Sequence, residues 1–265
     1  MVFLYVLAAI LVLFLFLIFP SVRRHNDRKN LKGKFIAHRG LHSLEENTPE
    51  NSMPAFLEAA ARGYLIEIDI RLTKDGEVVI FHDDSLKRMC GEDMGVRDLT
   101  LLELKEYRLG ATNEKIPTLK ELLNAVEGRV ALLIEFKCDG KDCNELCERA
   151  NAILSGYDGE YYVQSFYPGV PFWYNQHNKK IFRGQLATVY EGKGIMRHIF
   201  SPFIFNFLSR PDFVSYDEKH ANRFMFWLQK VLGAYPFGWT FETQEALSKD
   251  KKKFKSYIFE KFLPR

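Results

Sequence analysis

The chain has 265 residues, 47% of them hydrophobic and 27% charged, with a formal net charge of +3. That apolar content fills a sizeable core and excludes a disordered chain, and so small a positive balance, with basic and acidic residues interleaved, argues against a nucleic-acid partner. Past the first twenty residues about 240 remain, which suits one large barrel or two small domains.

The first element is Val2 to Phe19, eighteen residues without a charged or strongly polar side chain. A run of that length is about the minimum for a membrane-spanning helix. No Lys or Arg precedes it, and Ile18-Phe19-Pro20-Ser21-Val22 is a poor cleavage site, so an uncleaved anchor is preferred to a signal peptide. Arg23, Arg24, Arg28, Lys29, Lys32 and Lys34 lie on its C-terminal side against only Asp27. By the positive-inside rule the segment is a single-pass anchor in the cell membrane, with the following domain cytoplasmic.

Beyond a basic linker over residues 21–33, short β-like runs alternate with helical ones. Lys34 to His38 predicts a strand and Asn51 to Gly63 a helix. Tyr64 to Leu72 alternates, with Ile66, Ile68, Ile70 and Leu72 on one face and Glu67, Asp69 and Arg71 on the other. Asp75-Gly76 marks a turn before a third strand over Glu77 to His82. Further strands are predicted over Val130 to Phe136, Glu160 to Gln164, Lys180 to Gln185, Asp212 to Ser215 and Tyr235 to Trp239, with helical runs between. About eight strands alternating with helices, in a chain without a glycine-rich phosphate loop, predict an α/β fold, a closed (β/α)8 barrel. Cys138, Cys143 and Cys147 lack the paired spacing of zinc sites, and with Cys90 they read as free thiols that suit a reducing compartment.

A barrel of this kind carries its active site at the C-terminal ends of its strands. Glu67 and Asp69, two apart on a strand, point the same way. Turned into a barrel they repel unless a hard divalent cation joins them, and Glu135 can bring a third oxygen. The plainer alternative is a strand with a solvated polar face. His38 and His82 end neighbouring strands and form an acid–base pair, since histidine titrates near neutral pH. Arg39 and Lys137 add positive charge suited to a phosphate.

The motifs IAHRG at 36–40, PENSMPAF at 49–56, EIDIRLTKDGEVVIFHDDSLKR at 67–88, IPTLKELL at 116–123, IEFK at 134–137, QSF at 164–166 and GWTFETQEAL at 238–247 resemble those of the glycerophosphodiester phosphodiesterase family. The resemblance covers nearly everything after residue 33, and it implies a TIM barrel over residues 34–250 with a basic, aromatic tail at 251–265. It implies that His38 and His82 are the acid–base pair. It assigns Glu67, Asp69 and Glu135 to a divalent cation, Mg2+ or Ca2+. Arg39 and Lys137 would contact phosphate, Glu50 would sit near the metal or bind Arg39, and Trp239 would line a glycerol pocket. The implied reaction splits a glycerophosphodiester into glycerol 3-phosphate and an alcohol, including a route in which the glycerol 2-hydroxyl attacks first and water opens the cyclic phosphate. Ser52 and Phe136 depart from the family's usual threonine and leucine without touching the chemistry.

Three functions compete. The first is hydrolysis of glycerophosphodiesters. The second, a lysophospholipase D or a cyclic-phosphate-forming lyase, uses the same residues on the same barrel. The third, a non-catalytic phosphate-binding module, is disfavoured because both histidines and all three carboxylates are present. Ile195 to Leu208 and the tail from Lys251 read either as packed elements or as surfaces that meet lipid.

Overall fold

The computed structural model of the chain describes residues 1–265 except 22–26, 44–46, 139 and 190–201. Nine strands form one sheet: β1 (Phe35–Ala37), β2 (Leu65–Leu72), β3 (Val78–Ile80), β4 (Leu132–Phe136), β5 (Tyr161–Ser165), β6 (Arg183–Ala187), β7 (Phe213–Asp217), β8 (Tyr235–Phe241) and β9 (Ser256–Phe259). Their order is β1-β9-β8-β7-β6-β5-β4-β2-β3, and a further β1–β2 pairing closes the ring. Eight strands, all but β3, are parallel to their neighbours and make the expected barrel. The described helices between them include α2 (Met53–Ala61), α3 (Leu119–Val126), α4 (Cys143–Leu154), α5 (Gly169–His177), α6 (Asn206–Ser209), α7 (Phe224–Val231) and α8 (Gln244–Asp250), after the N-terminal α1 (Val2–Ile18).

Local signals account for the punctuation. Ser52 caps α2 by accepting from the Ala55 amide, and Thr118 and Glu121 form a reciprocal capping box on α3. The Asp75-Gly76 turn closes because Glu77 donates its amide to Thr73 and Gly76 takes φ +80°.

Four sequence expectations change here. The third predicted strand is not a barrel stave: β3 runs antiparallel to β2, with Ile80 opposite Ile70 and Val78 opposite Leu72. A two-strand arm thus rises from the barrel mouth and returns, and the eighth stave is β9, within the segment read as a tail. Ser256–Phe259 is a short apolar run whose edges pair with β1 and β8, which satisfies their backbone groups and leaves the barrel no free edge.

The membrane anchor is also overturned. Among the described residues no helix is long and apolar enough to cross a membrane. α1 ends at Ile18 after 17 residues, because Phe19 is extended and Pro20 follows. At about 1.5 Å per residue it spans about 26 Å, short of a hydrocarbon core of about 30 Å. Its end is docked on the protein: Ile18 is 1% exposed, and its carbonyl accepts 3.0 Å hydrogen bonds from Asn206 Nδ2 and Gln229 Nε2. Arg210 reaches the Phe19 carbonyl at 2.8 Å, so α1 seats where β7 begins, at the end of the barrel opposite the strand C-termini. The single-pass location in the cell membrane falls with the anchor. The side chains before Phe14 remain exposed.

The cysteines are not all free thiols. Cys138 and Cys143 are joined, closing the loop between β4 and α4, while Cys90 and Cys147 remain unpaired. Of the aromatic stretch Ile195 to Leu208, residues up to 201 lie outside the described part; beyond it Phe203 is buried and stacks on Tyr216.

The interior is layered. Ile36, Leu65, Leu133, Tyr162, Phe213, Phe237 and Ile258 form an apolar plug near the strand N-termini. Gly184 makes room for it, since a Cβ there would lie 2.0 Å from the Phe213 ring. Two residues further along the same inward rows come Glu67, Glu135, Gln164, Trp239 and Glu260. The polar face of β2 is therefore the barrel's inner face, and the alternative of a solvated face is excluded.

Candidate active site

Glu67, Asp69 and Glu135 are 1, 0 and 5% exposed, and each offers an oxygen within 4.8 Å of the others'. β2 and β4 pair with Asp69 opposite Glu135, which fixes this proximity through the backbone register. Burial, then the neighbouring Asp69 and Glu135 charges, push the Glu67 carboxyl well above the usual range. Burial also raises Glu135, against the pull of Lys137. For Asp69 burial is outweighed by Lys137, Arg39 and the two histidines, which hold it well below the carboxylate range.

Two cations meet the cluster. Lys137 Nζ lies 3.2 Å from Asp69 Oδ1 and pairs with Glu135; Arg39 Nε lies 3.3 Å from Asp69 Oδ2. Even against their charge, burial and the neighbouring carboxylates leave Glu67 and Glu135 biased toward the neutral form, so three buried oxygen donors fit a hard divalent cation that would hold all three ionised.

Arg39 follows His38 directly and takes φ 55°, a conformation sparsely used by residues with a Cβ. The twist aims its amide at Glu67 Oε2, 2.9 Å away. Gly40 must be glycine here, because a Cβ would meet the Ala55 backbone at 2.8 Å. Glu50 accepts from Arg39 Nη1 at 2.7 Å, which is one of the two placements expected of it.

His38 sits beyond β1, its amide bonded to the Phe259 carbonyl at 3.0 Å. His82 comes from the returning arm rather than from a stave. Arg71 grips its carbonyl through Nε at 2.9 Å and Nη2 at 2.7 Å. Its Nδ1 faces Asp83 Oδ1 at 2.6 Å, and Asp83 is held by Arg88, which also binds Glu50. Both histidines are lowered from 6.5, chiefly by burial.

His38, Arg39, Glu67, His82, Glu135, Lys137 and Trp239 all line one cavity of about 90 Å3, with Gln164 and Phe166. Trp239 packs edge-on against Phe166 at 5.5 Å between centroids. Its Nε1, buried, has no hydrogen-bond partner among the described residues. Four residues escaped the sequence reading. Asn51 Nδ2 donates to Asp69 Oδ2 at 2.9 Å, Asp83 and Arg88 brace His82, and Glu260 Oε2 lies 2.6 Å from His38 Nδ1. Asn51 sat in plain view inside the PEN motif. Glu260 carried no local signal, being attached to an unrecognised strand.

Residues 38–167 match the glycerophosphoryl diester phosphodiesterase family. This chain carries a domain of that family. A glycerophosphodiester phosphodiesterase of Caldanaerobacter subterraneus is 38% identical over 117 residues, which are 40% of this chain and 46% of the relative. A human lysophospholipase D is 30% identical over 161 residues, 56% of this chain and 49% of the relative. The chain thus spans about half the length of the curated relatives it matches. Among solved structures, the glycerophosphodiester phosphodiesterase of Thermotoga maritima superposes with a TM-score of 0.66 at 26% identity, covering 85% of this chain and 93% of that one. An Oleispira antarctica phosphodiesterase, solved with its product sn-glycerol-3-phosphate, gives 0.73 at 22% identity, covering 88 and 94%. At that identity the likeness speaks for the barrel. The matched stretch ends before β6, and the remaining staves that shape the cavity come from the rest of the chain.

Proposed function

We propose that the chain hydrolyses glycerophosphodiesters to glycerol 3-phosphate and an alcohol, with His38 and His82 exchanging protons beside a divalent cation, Mg2+ or Ca2+, on Glu67, Asp69 and Glu135. The observation that carries this reading is a single cavity lined by two histidines, two cations and a buried carboxylate cluster.

When bound, the cation supplies charge neutralisation for a phosphodiester oxygen. The remaining work falls to side chains. A carboxylate only accepts hydrogen bonds, so the Nδ1 contacts with Glu260 and Asp83 place the ring protons on Nδ1. Each neutral ring then presents a bare Nε2. One ring, neutral, takes the proton of the attacking oxygen on its Nε2; the other, having first taken a proton from solvent on its Nε2, gives that proton to the leaving alcohol, and exchange with solvent restores both. In this reading Lys137 and Arg39, which line the cavity, meet the phosphoryl oxygens, and Trp239 Nε1 donates to a glycerol hydroxyl.

Relatives named lysophospholipase D, at 30% identity, favour a second reading on the same residues, in which the substrate is a lysophospholipid. The Phe166, Leu186, Trp239 and Ile258 walls suit an apolar substituent. Phosphorus NMR of the products from glycerophosphocholine and from lysophosphatidylcholine, with and without EDTA, separates the two. Turnover of neither substrate by folded protein with Mg2+ or Ca2+ would end the proposal; turnover unaffected by EDTA would end its metal.

A further inference from the structure

Glu260 stands one residue beyond β9, 13% exposed by side chain, on a firmly held backbone. Its amide donates to the Phe241 carbonyl at 3.0 Å, and the preceding carbonyl, of Phe259, accepts from the His38 amide at 3.0 Å. The histidine and the carboxylate are thereby fixed to adjacent staves, β1 and β9. Glu260 Oε2 lies 2.6 Å from His38 Nδ1 and 3.6 Å from His42 Nε2, while Oε1 lies 3.1 Å from Lys261 Nζ. Burial alone would raise this carboxyl, but His38, His42 and Lys261 hold it far below the ordinary range, so it faces His38 ionised.

We propose that Glu260 is a positioning residue: it keeps the His38 proton on Nδ1 and turns Nε2 toward the substrate, with His42 and Lys261 holding the carboxylate in place. The inference rests on the functional reading above. The physical reason is that a free imidazole divides its proton between two nitrogens and rotates about χ2, whereas an ionised acceptor on a rigid strand selects one tautomer and one ring plane. His82 has a matching partner in Asp83, but that carboxylate is adjacent in sequence and on the arm. Glu260 comes from more than two hundred residues away, so the barrel must close before His38 is oriented.

The test uses the full chain and the variants Glu260→Gln, Glu260→Asp, His38→Ala and the double variant His38→Ala with Glu260→Gln. With glycerophosphocholine, Glu260→Gln should lower kcat by about 10²-fold or more with KM nearly unchanged, and Glu260→Asp should recover a large part of it. In the His38→Ala background Glu260→Gln should cost almost nothing further, because its only route to the reaction is gone. Imidazole 15N NMR reads the same claim without activity: His38 should be the Nδ1–H tautomer in the native chain and shift toward Nε2–H in Glu260→Gln. An equal loss with and without His38, or an unchanged His38 tautomer in Glu260→Gln, overturns the proposal. A native chain that turns over no glycerophosphodiester overturns the functional reading instead, and the tautomer measurement still decides the role of Glu260.

Discussion

Glu67→Gln should stabilise the metal-free protein while abolishing its function. In the metal-free state Glu67 is buried beside two other carboxylates whose oxygens approach within 4.8 Å. At an effective dielectric constant near 20, like charges at that separation repel by about 3–4 kcal/mol. Arg39, whose amide donates to Glu67, cancels part of this, leaving about 1–2 kcal/mol of net strain whenever Glu67 is ionised. Glutamine preserves the shape and still offers a carbonyl to the Arg39 amide. The variant should therefore melt about 2–6 °C higher than the native chain in EDTA. With Mg2+ or Ca2+ the order should invert. The native chain gains about 2.7 kcal/mol at a metal concentration one hundred times Kd, and the variant, with one ligand oxygen neutralised, gains much less. The assay is thermal unfolding in EDTA and across a metal titration, alongside phosphorus NMR of glycerophosphocholine turnover. A variant that melts lower than the native chain in EDTA would refute the repulsion, and one stabilised equally by metal would refute the assignment of Glu67 as a ligand.

Further expectations concern protons, metal and the disulfide. His38→Ala and His82→Ala should each lower kcat by about 10²–10⁴-fold without unfolding the chain, and near-native turnover by either would remove it from the acid–base pair. Because burial lowers both histidines from 6.5, the unfolded chain takes up their protons first as pH falls; stability should thus decline below 6.5 and be insensitive to these groups above it, which denaturant titrations from pH 5 to 8 will show, and His82→Asn should flatten the slope. Metal must displace the proton that the raised Glu67 carboxyl favours, so affinity measured calorimetrically should fall with falling pH, with proton release on binding; constant affinity from pH 8 to 5 would contradict this. Replacing Cys138 and Cys143 by serine should cost about 2 kcal/mol on chain-entropy grounds, and an unaltered denaturation midpoint would mean that the bridge contributes nothing.

The chemistry was written locally. The alternation over Tyr64 to Leu72 put Glu67 and Asp69 on one face because side chains in a strand alternate, and that holds whatever surrounds the strand. Histidines at predicted strand ends, an Asp-Gly turn and a helix cap at Ser52 are likewise properties of a few consecutive residues. Which face is inside is not such a property. Only ring closure by β9, a four-residue run with no flanking turn signal of its own, makes the polar face of β2 the lining of a cavity.

Long-range placement decided the rest. β3 looked like any other strand, and its antiparallel return is set by pairing with β2, so His82 reaches the cavity from an arm rather than a stave. α1 has a composition that suits hydrocarbon, yet its end is fixed by Asn206, Gln229 and Arg210, residues about two hundred positions away that offer its last carbonyls hydrogen bonds a bilayer lacks. Glu260 had no motif around it to mark it, and it meets His38 only across the closed barrel. Residue type and spacing name the reactive groups, whereas the partners that orient and charge them exist only once the barrel has closed.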